Sequence, residues 1–284
     1  MRAFVLTLFC AVIFTNTYSQ KQKIKGNKIV TTEQKSVDEF HTIELYDNFE
    51  VTIREDNINH ISIEADSNLL DEINIEVIDS VLTIKSDSDI KRSKKLDIKI
   101  SYAQPLQKIV TYNKVNLKST SLIETPKLRI ESNDDSEVFL SIETDNITSI
   151  INGKSNADLD IKANEAFYQI NDNAELKGII DTNEFKIDLY QKGYAKLEGK
   201  AENMLLRMDS NTNFYGQKLT SKKASVTTEG SSDCYLLVTE EITIKATNES
   251  KIYILGDSPK TIIDTFDNEA IIYRKKANYN PGLF

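Results

Sequence analysis

The stretch NGKSNADLDI, residues 152–161, opens on turn-forming residues and closes on alternating apolar and polar ones. NDNAELKGI (171–179), TEGSSDCYLL (228–237) and TNESKIYIL (247–255) repeat the phrase. Self-similarity at a fixed period marks a repeat architecture. Apolar doublets precede each turn: Leu128/Ile130, Ile147/Ser149, Ala166/Tyr168, Phe185/Ile187, Met204/Leu206, Ala224/Val226, Ile242/Ile244 and Thr261/Ile263, at steps of 18–20 residues. A second set follows the turn: Val138/Leu140, Ala157/Leu159, Ala174/Leu176, Ala195/Leu197, Phe214/Gly216, Cys234/Leu236, Ile252/Ile254 and Ala270/Ile272, at steps of 17–21.

Each repeat reads strand, polar turn, strand, polar turn, and within a strand the period of two marks one buried face. So short a strand pair cannot bury its apolar face alone, whereas stacked coils pack inward residues on those above and below. The spacing therefore predicts an all-β chain folded as a parallel β-solenoid, with coils of about 19 residues. A β-sandwich needs no constant sequence period, and a propeller blade needs roughly 40 residues or more.

The turns support the stack. Five residues beyond the first doublet position lie Asn133, Asn152 and Asn171, then Tyr190, Asp209 and Glu229, with Asn248 and Asp267 one residue out of step. Asparagine tolerates the left-handed conformation of a sharp corner, and stacked amides can bond along a column. Residues 20–110 alternate less regularly and predict wider, irregular coils, with a cap over the open end; 111–276 are the regular coils and 277–284 a tail.

Residues 1–19 carry Arg2, an apolar run from Ala3 to Phe14 and a small polar close, the pattern of an export signal peptide. The run is too short to span a bilayer. Phe9 before Cys10 does not fit a lipoprotein signal. The expected location is the periplasm, the cell surface or the extracellular space, without membrane insertion. Removing that segment leaves Cys234 as the sole cysteine, so no internal disulfide forms, and its flanks Asp233 and Tyr235 point to an inert buried thiol. The net charge of −9 argues against nucleic acid, and the one basic run, KRSKK at 91–95, reads as a solvated loop tip.

Two stretches resemble a known family. They are VDEFHTIELYDNFEVTIRED (37–56) and HISIEADSNLLDEINIEVIDSVLTIKSD (60–87), marked by Phe40 and Ile43, the ADSNLL phrase and the VLTIKS strand. With the coil array they resemble the auto-transporter adhesin head, or GIN, domain of exported bacterial proteins, over about residues 26–276. That family's corners repeat Gly-Ser-Gly-Asp, while these are rich in Asn, Asp and Ser (NDDSEV, GKSNAD, EGSSDC). The resemblance implies a β-solenoid on an exported protein and brings no catalytic residues.

No catalytic constellation stands out, and no metal or cofactor is expected. Two histidines and one mature cysteine offer no transition-metal cluster. Acidic corners such as SNDDSE (132–137) read as solvated turns rather than calcium loops. Polysaccharide-cleaving solenoids need carboxylates gathered in one groove, but Asp158, Glu175 and Glu198 form no persistent column beside basic partners. One outward column does stand out: Phe139, Asp158, Glu175, Lys196, Tyr215, Tyr235, Tyr253 and Ile271. Tyr215, Tyr235 and Tyr253 should stack on three successive coils about 4.8 Å apart, either as a strip for sugar rings or a protein, or simply as a stable ladder. The expected function is that of a non-enzymatic, adhesin-like envelope protein that binds a surface glycan or an envelope protein. The alternatives are a polysaccharide-degrading solenoid enzyme and a purely structural envelope protein.

Overall fold

The computed structural model describes residues 21–257 and 259–278. The predicted export signal and most of the predicted tail lie outside the described residues. Short strands fill the amino-terminal part: β1 (Lys23–Lys25), β2 (Val30–Ser36), β3 (Thr42–Leu45), β4 (Glu50–Glu55), β5 (His60–Asp66), β6 (Ile73–Ile78), β7 (Val81–Ser86), β8 (Asp89–Arg92), β9 (Leu96–Tyr102), β10 (Lys108–Thr111) and β11 (Asn116–Ser119). One 3-10 helix, Ser67–Glu72, precedes β6. Long strands follow: β12 (Ile123–Ser132), β13 (Glu137–Ile151), β14 (Asn156–Ile170), β15 (Glu175–Leu189), β16 (Tyr194–Met208), β17 (Asn213–Thr228) and β18 (Asp233–Ala246). The last coil and a half is β19 (Lys251–Leu255), β20 (Lys260–Phe266) and β21 (Ile271–Lys275).

Every pairing from β10 onward is parallel and joins one coil to the next, as the period requires. The protein is a β-solenoid. Inward positions from both arms of each coil meet in one core; Leu140, Leu159, Leu176, Leu197, Phe214, Leu236 and Ile254 are all at most 3% exposed. Burying each such side chain is worth about 1.5–3 kcal/mol, and with no disulfide among the described residues this packing and the backbone ladders hold the stack. Cys234 belongs to the core, between Phe214 and Ile252 in register. Burial raises its thiol well above the ordinary value, which suppresses the thiolate.

The register corrects part of the second apolar set. Val138 and Ala157 align with Leu176, not Ala174, and Ile252 aligns with Ile272, not Ala270. Ala174 and Ala270 instead occupy a buried corner column with Ser136, Ser155, Thr212, Ser232 and Ser250. There the hydroxyl turns back on its own corner: Ser232 donates to the Glu229 carbonyl at 2.8 Å and Ser250 to that of Thr247 at 3.0 Å. Alanine fits the same small space, and in a sequence scan it passes for a strand residue.

The corner splits the two tasks expected of asparagine between adjacent residues. Asn152 Nδ2 donates to Asn133 Oδ1 at 2.8 Å, and Asn171 Nδ2 to Asn152 Oδ1 at 2.6 Å, forming the amide ladder. The left-handed residue is the next one: Asp134, Gly153, Asp172, Gln191, Ser210, Gly230, Asn248 and Asn268, all with φ between 59° and 74°. The opposite turn is a kink of one residue. The register skips Asp145, Asn164, Asn183 and Glu202, leaving each arm pair as one bent strand. A second amide pair, Asn183 Nδ2 to Asn164 Oδ1 at 2.8 Å, stacks there.

The amino-terminal part stacks out of chain order. One sheet runs β6, β7, β3, β10, β12 and the other β2, β5, β9, β4, β11, β13. Residues 42–55 thus lie between 81–102 and 108–119. At the far edge the pairing turns antiparallel, β5 on β9, β2 on β5 and β6 on β7. With the 3-10 helix these strands close the core over Phe40, Ile61, Ile63 and Leu69, all 0% exposed.

Candidate binding surface

The first arm of each coil presents the aromatic column on its outer face. Register places Phe139, Asp158, Lys177, Lys196, Tyr215, Tyr235, Tyr253 and Tyr273 in one line. Tyr215, Tyr235 and Tyr253 are adjacent, as the period predicts. Lys177 and Tyr273 replace Glu175 and Ile271, because the slip that displaced Ala174 and Ala270 displaced these too. The run of rings is longer than the sequence reading. Centroids are 5.1 Å apart for Tyr215 and Tyr235, 4.3 Å for Tyr235 and Tyr253, and 4.7 Å for Tyr253 and Tyr273, with interplanar angles of 7–12°. Tyr194, two residues before Lys196 on the preceding coil, joins at 5.3 Å with a 39° tilt. The signal for Tyr273 is its 20-residue step from Tyr253; no sequence signal marks Tyr194, whose ring leans across from a neighbouring column.

Parallel rings at this spacing cover each other's faces. Tyr235 is only 7% exposed although its strand position points outward. Ring edges and hydroxyls are what the strip offers, whereas a sugar stacks on a ring face. Burial pushes the Tyr235 hydroxyl well up, with Tyr253, Asp233 and Tyr215 adding to it. Burial likewise raises Tyr215, helped by Tyr194 and Asp233. These hydroxyls therefore stay protonated across neutral and mildly alkaline pH, and those of Tyr235 and Tyr253 hydrogen-bond one another.

Asp158, Glu175 and Glu198 stand in three different columns, so they form no single carboxylate line, while Glu198 and other outward carboxylates pair singly with lysines of neighbouring coils. Lys162 pairs with Glu143 at 2.6 Å, Lys200 with Asp181 at 3.2 Å, Lys218 with Glu198 at 2.8 Å and Lys260 with Glu241 at 2.8 Å, each bridging two coils. Exposed pairs of this kind are worth at most about 1 kcal/mol each; their consequence is to match coil to coil in register. In the SNDDSE corner, Asp134 Oδ2 accepts from the Asn113 backbone N–H at 2.8 Å. Among the described residues no group of three or more His, Cys, Asp or Glu is placed to hold a metal ion. Second-arm faces carry cation–aromatic contacts, such as Lys186 Nζ 4.6 Å from the Phe167 ring centre.

Comparison with known proteins agrees with this architecture. The sequence model of the family described as "Putative auto-transporter adhesin, head GIN domain" matches residues 39–179 and 158–258. A crystal structure of a putative adhesin from Parabacteroides distasonis superposes with a TM-score of 0.67 at 18% identity, covering 90% of this chain and 99% of that one. One from Parabacteroides merdae, also a putative adhesin, gives 0.63 at 17%, covering 89% and 99%. A putative lipid binding protein from Parabacteroides distasonis gives 0.58 at 14%, with the same coverage. At these identities the likeness is one of fold. No curated protein sequence matches the chain.

Proposed function

Starting from the fact that the chain belongs to the auto-transporter adhesin head (GIN) domain family, we propose that it is a non-enzymatic, adhesin-like binding module of the cell envelope. Its partner is a surface glycan or an envelope protein, engaged along the tyrosine strip from Tyr194 to Tyr273. One observation carries the reading: five successive rings stacked 4.3–5.3 Å apart, on the outside of a fold whose core is already complete. Such a strip is rigid before binding, so contact with it costs little side-chain entropy. Because its ring faces are occupied, a partner meets a row of edges and O–H groups. That geometry suits an acceptor-rich surface better than a single stacked sugar.

Replacing Tyr215, Tyr235 and Tyr253 with Phe keeps the stack and removes the three central phenol hydroxyls; replacing them with Ser removes the three central rings as well. Each variant is compared with the parent on an array of glycans and immobilised surface proteins. The proposal expects binding to be lost in the Ser variant and weakened at least about tenfold in the Phe variant, as for two or more lost hydrogen bonds. Binding unchanged in the Ser variant, with an intact β circular dichroism spectrum, removes the strip from the site.

A further inference from the structure

The sequence holds two stretches of pure positive charge, remote from one another. KQKIKGNK (21–28) carries four lysines, KRSKK (91–95) three lysines and Arg92, and neither contains a carboxylate. The fold zips them together at the capped pole. β1 pairs with β8 in parallel, with Lys23 opposite Asp89, Ile24 opposite Ile90 and Lys25 opposite Arg92. Gly26 N donates to the Arg92 carbonyl at 2.7 Å, and Asp89 N to that of Gln22 at 2.8 Å.

A single buried carboxylate clasps both stretches. Asp66, 0% exposed, accepts from Lys28 N at 2.9 Å, from Lys94 N at 3.1 Å and from Lys95 N at 3.2 Å. Gly26 leaves room for it: a Cβ there would stand 1.9 Å from Asp66 Oδ2. Asn68 and Asn27 fasten the edge, Asn68 Nδ2 donating to the Lys25 carbonyl at 2.9 Å and Asn27 N to Asn68 Oδ1 at 2.8 Å. The basic run is thus not a loose tip but half of a pinned platform.

Its charge is only partly compensated, by Asp66 at its centre and by three ion pairs. Lys21 pairs with Asp47, Lys91 with Asp89 and Lys95 with Asp97. Lys23, Lys25, Lys28, Arg92 and Lys94 have no ion pair among the described residues, and all five are exposed. Like charges directly opposite on paired strands, as at Lys25 and Arg92, are destabilising on their own. An anion spanning them removes that cost. Beside Lys28 stands Ile29, 65% exposed, an apolar side chain at the edge of the cations. Basic residues bordering an exposed aliphatic side chain match the interface of an anionic bilayer, where each Lys or Arg near the surface contributes about 1 kcal/mol.

We propose that this pole docks the protein on the phosphate headgroups of an anionic lipid bilayer, peripherally and without insertion. The inference goes beyond the strip and does not depend on it.

The test is flotation of the exported protein, as recovered from producing cells, with vesicles of phosphatidylcholine alone or with phosphatidylglycerol. Three proteins are compared: the parent, a pole variant (Lys23→Glu, Lys25→Glu, Arg92→Glu, Lys94→Glu) and an equal-charge control on the opposite, kinked side of the coils (Lys127→Glu, Lys162→Glu, Lys200→Glu, Lys223→Glu). The expected result is binding to anionic vesicles only, lost above about 0.3 M salt, reduced at least about tenfold in the pole variant and retained in the control. Equal binding to neutral vesicles, equal loss in the control, or no loss in a pole variant of unchanged circular dichroism overturns it. So does failure to float with anionic vesicles, including the case in which a soluble anionic polysaccharide is bound instead. Displacement by inorganic phosphate beyond that by chloride of matched ionic strength assigns the pole to a free anion, which also overturns the bilayer.

Discussion

The two ends of the solenoid are built from the same alternating strands and end in opposite ways. At the amino-terminal end, β2, β5, β6 and the Ser67–Glu72 turn cover the last coil, and Ile61, Ile63 and Leu69 are 0% exposed. At the other end, among the described residues, β20 and β21 pair on one side only, with β18 and β19. Ile263 and Phe266 align with the core residues Ile244 and Ala246, yet are 55% and 45% exposed. On the β20 arm, large side chains in the core columns stay exposed where no described layer lies beyond them. For these side chains depth is set by place along the axis, not by residue type.

The largest test of that contrast is a pair of truncations. Ile63→Ala, under the cap, should lower the stability measured by urea unfolding by about 2–5 kcal/mol, the cost of deleting a buried aliphatic group. Ile263→Ala should cost less than about 1 kcal/mol, because much of its surface already faces water. Equal losses at the two sites would show that the open end is covered in solution.

A smaller effect is expected where the coils are alike. Asn152 both donates and accepts in the amide ladder, so Asn152→Ala breaks two bonds and should cost about 1–2 kcal/mol by the same measurement. Asn268 donates to Asn248 at 3.2 Å near the open end, and removing that single exposed bond should cost less. A reversed order would contradict the ladder as a source of stability.

The smallest expected effect is local, in the clasp of the capped end. Burial acts to raise the Asp66 carboxyl, but the backbone N–H groups of Lys28, Lys94 and Lys95 outweigh it and hold the group below the ordinary carboxylate range. A carboxylate depressed on folding stabilises above its unfolded pKa and loses that contribution as pH falls through the folded one. Amide protection at Lys28, Lys94 and Lys95 should therefore persist from neutral pH to about 4 and fail in stronger acid, while the coil cores stay protected. Protection independent of Asp66→Asn at neutral pH would refute the clasp.

Much of this was legible in the sequence, for identifiable reasons. The period exposed the coils, the corner asparagines and the neighbourhood of Tyr215, Tyr235 and Tyr253, because each coil must repeat its inward residues. Ala174 and Ala270 misled the register because a small buried corner residue and a small strand residue look alike. Tyr194 was hidden because a tilted ring reaches across columns, and the burial of Tyr235 because its shield is the neighbouring rings themselves.

By itself, then, the sequence determined the solenoid, its coil length, its corner chemistry and the line of tyrosines. These are local, repeated within each coil, and follow from alternation and turn preference. Only the tertiary structure decided which amino-terminal strands run antiparallel, since a period of two is the same in either direction. It also placed residues 42–55 between later segments of the chain, left Ile263 open and buried Ile63. And it joined Lys25 to Arg92 across 67 positions of sequence. The closing of a stack is a long-range event, and no single coil carries the information for it.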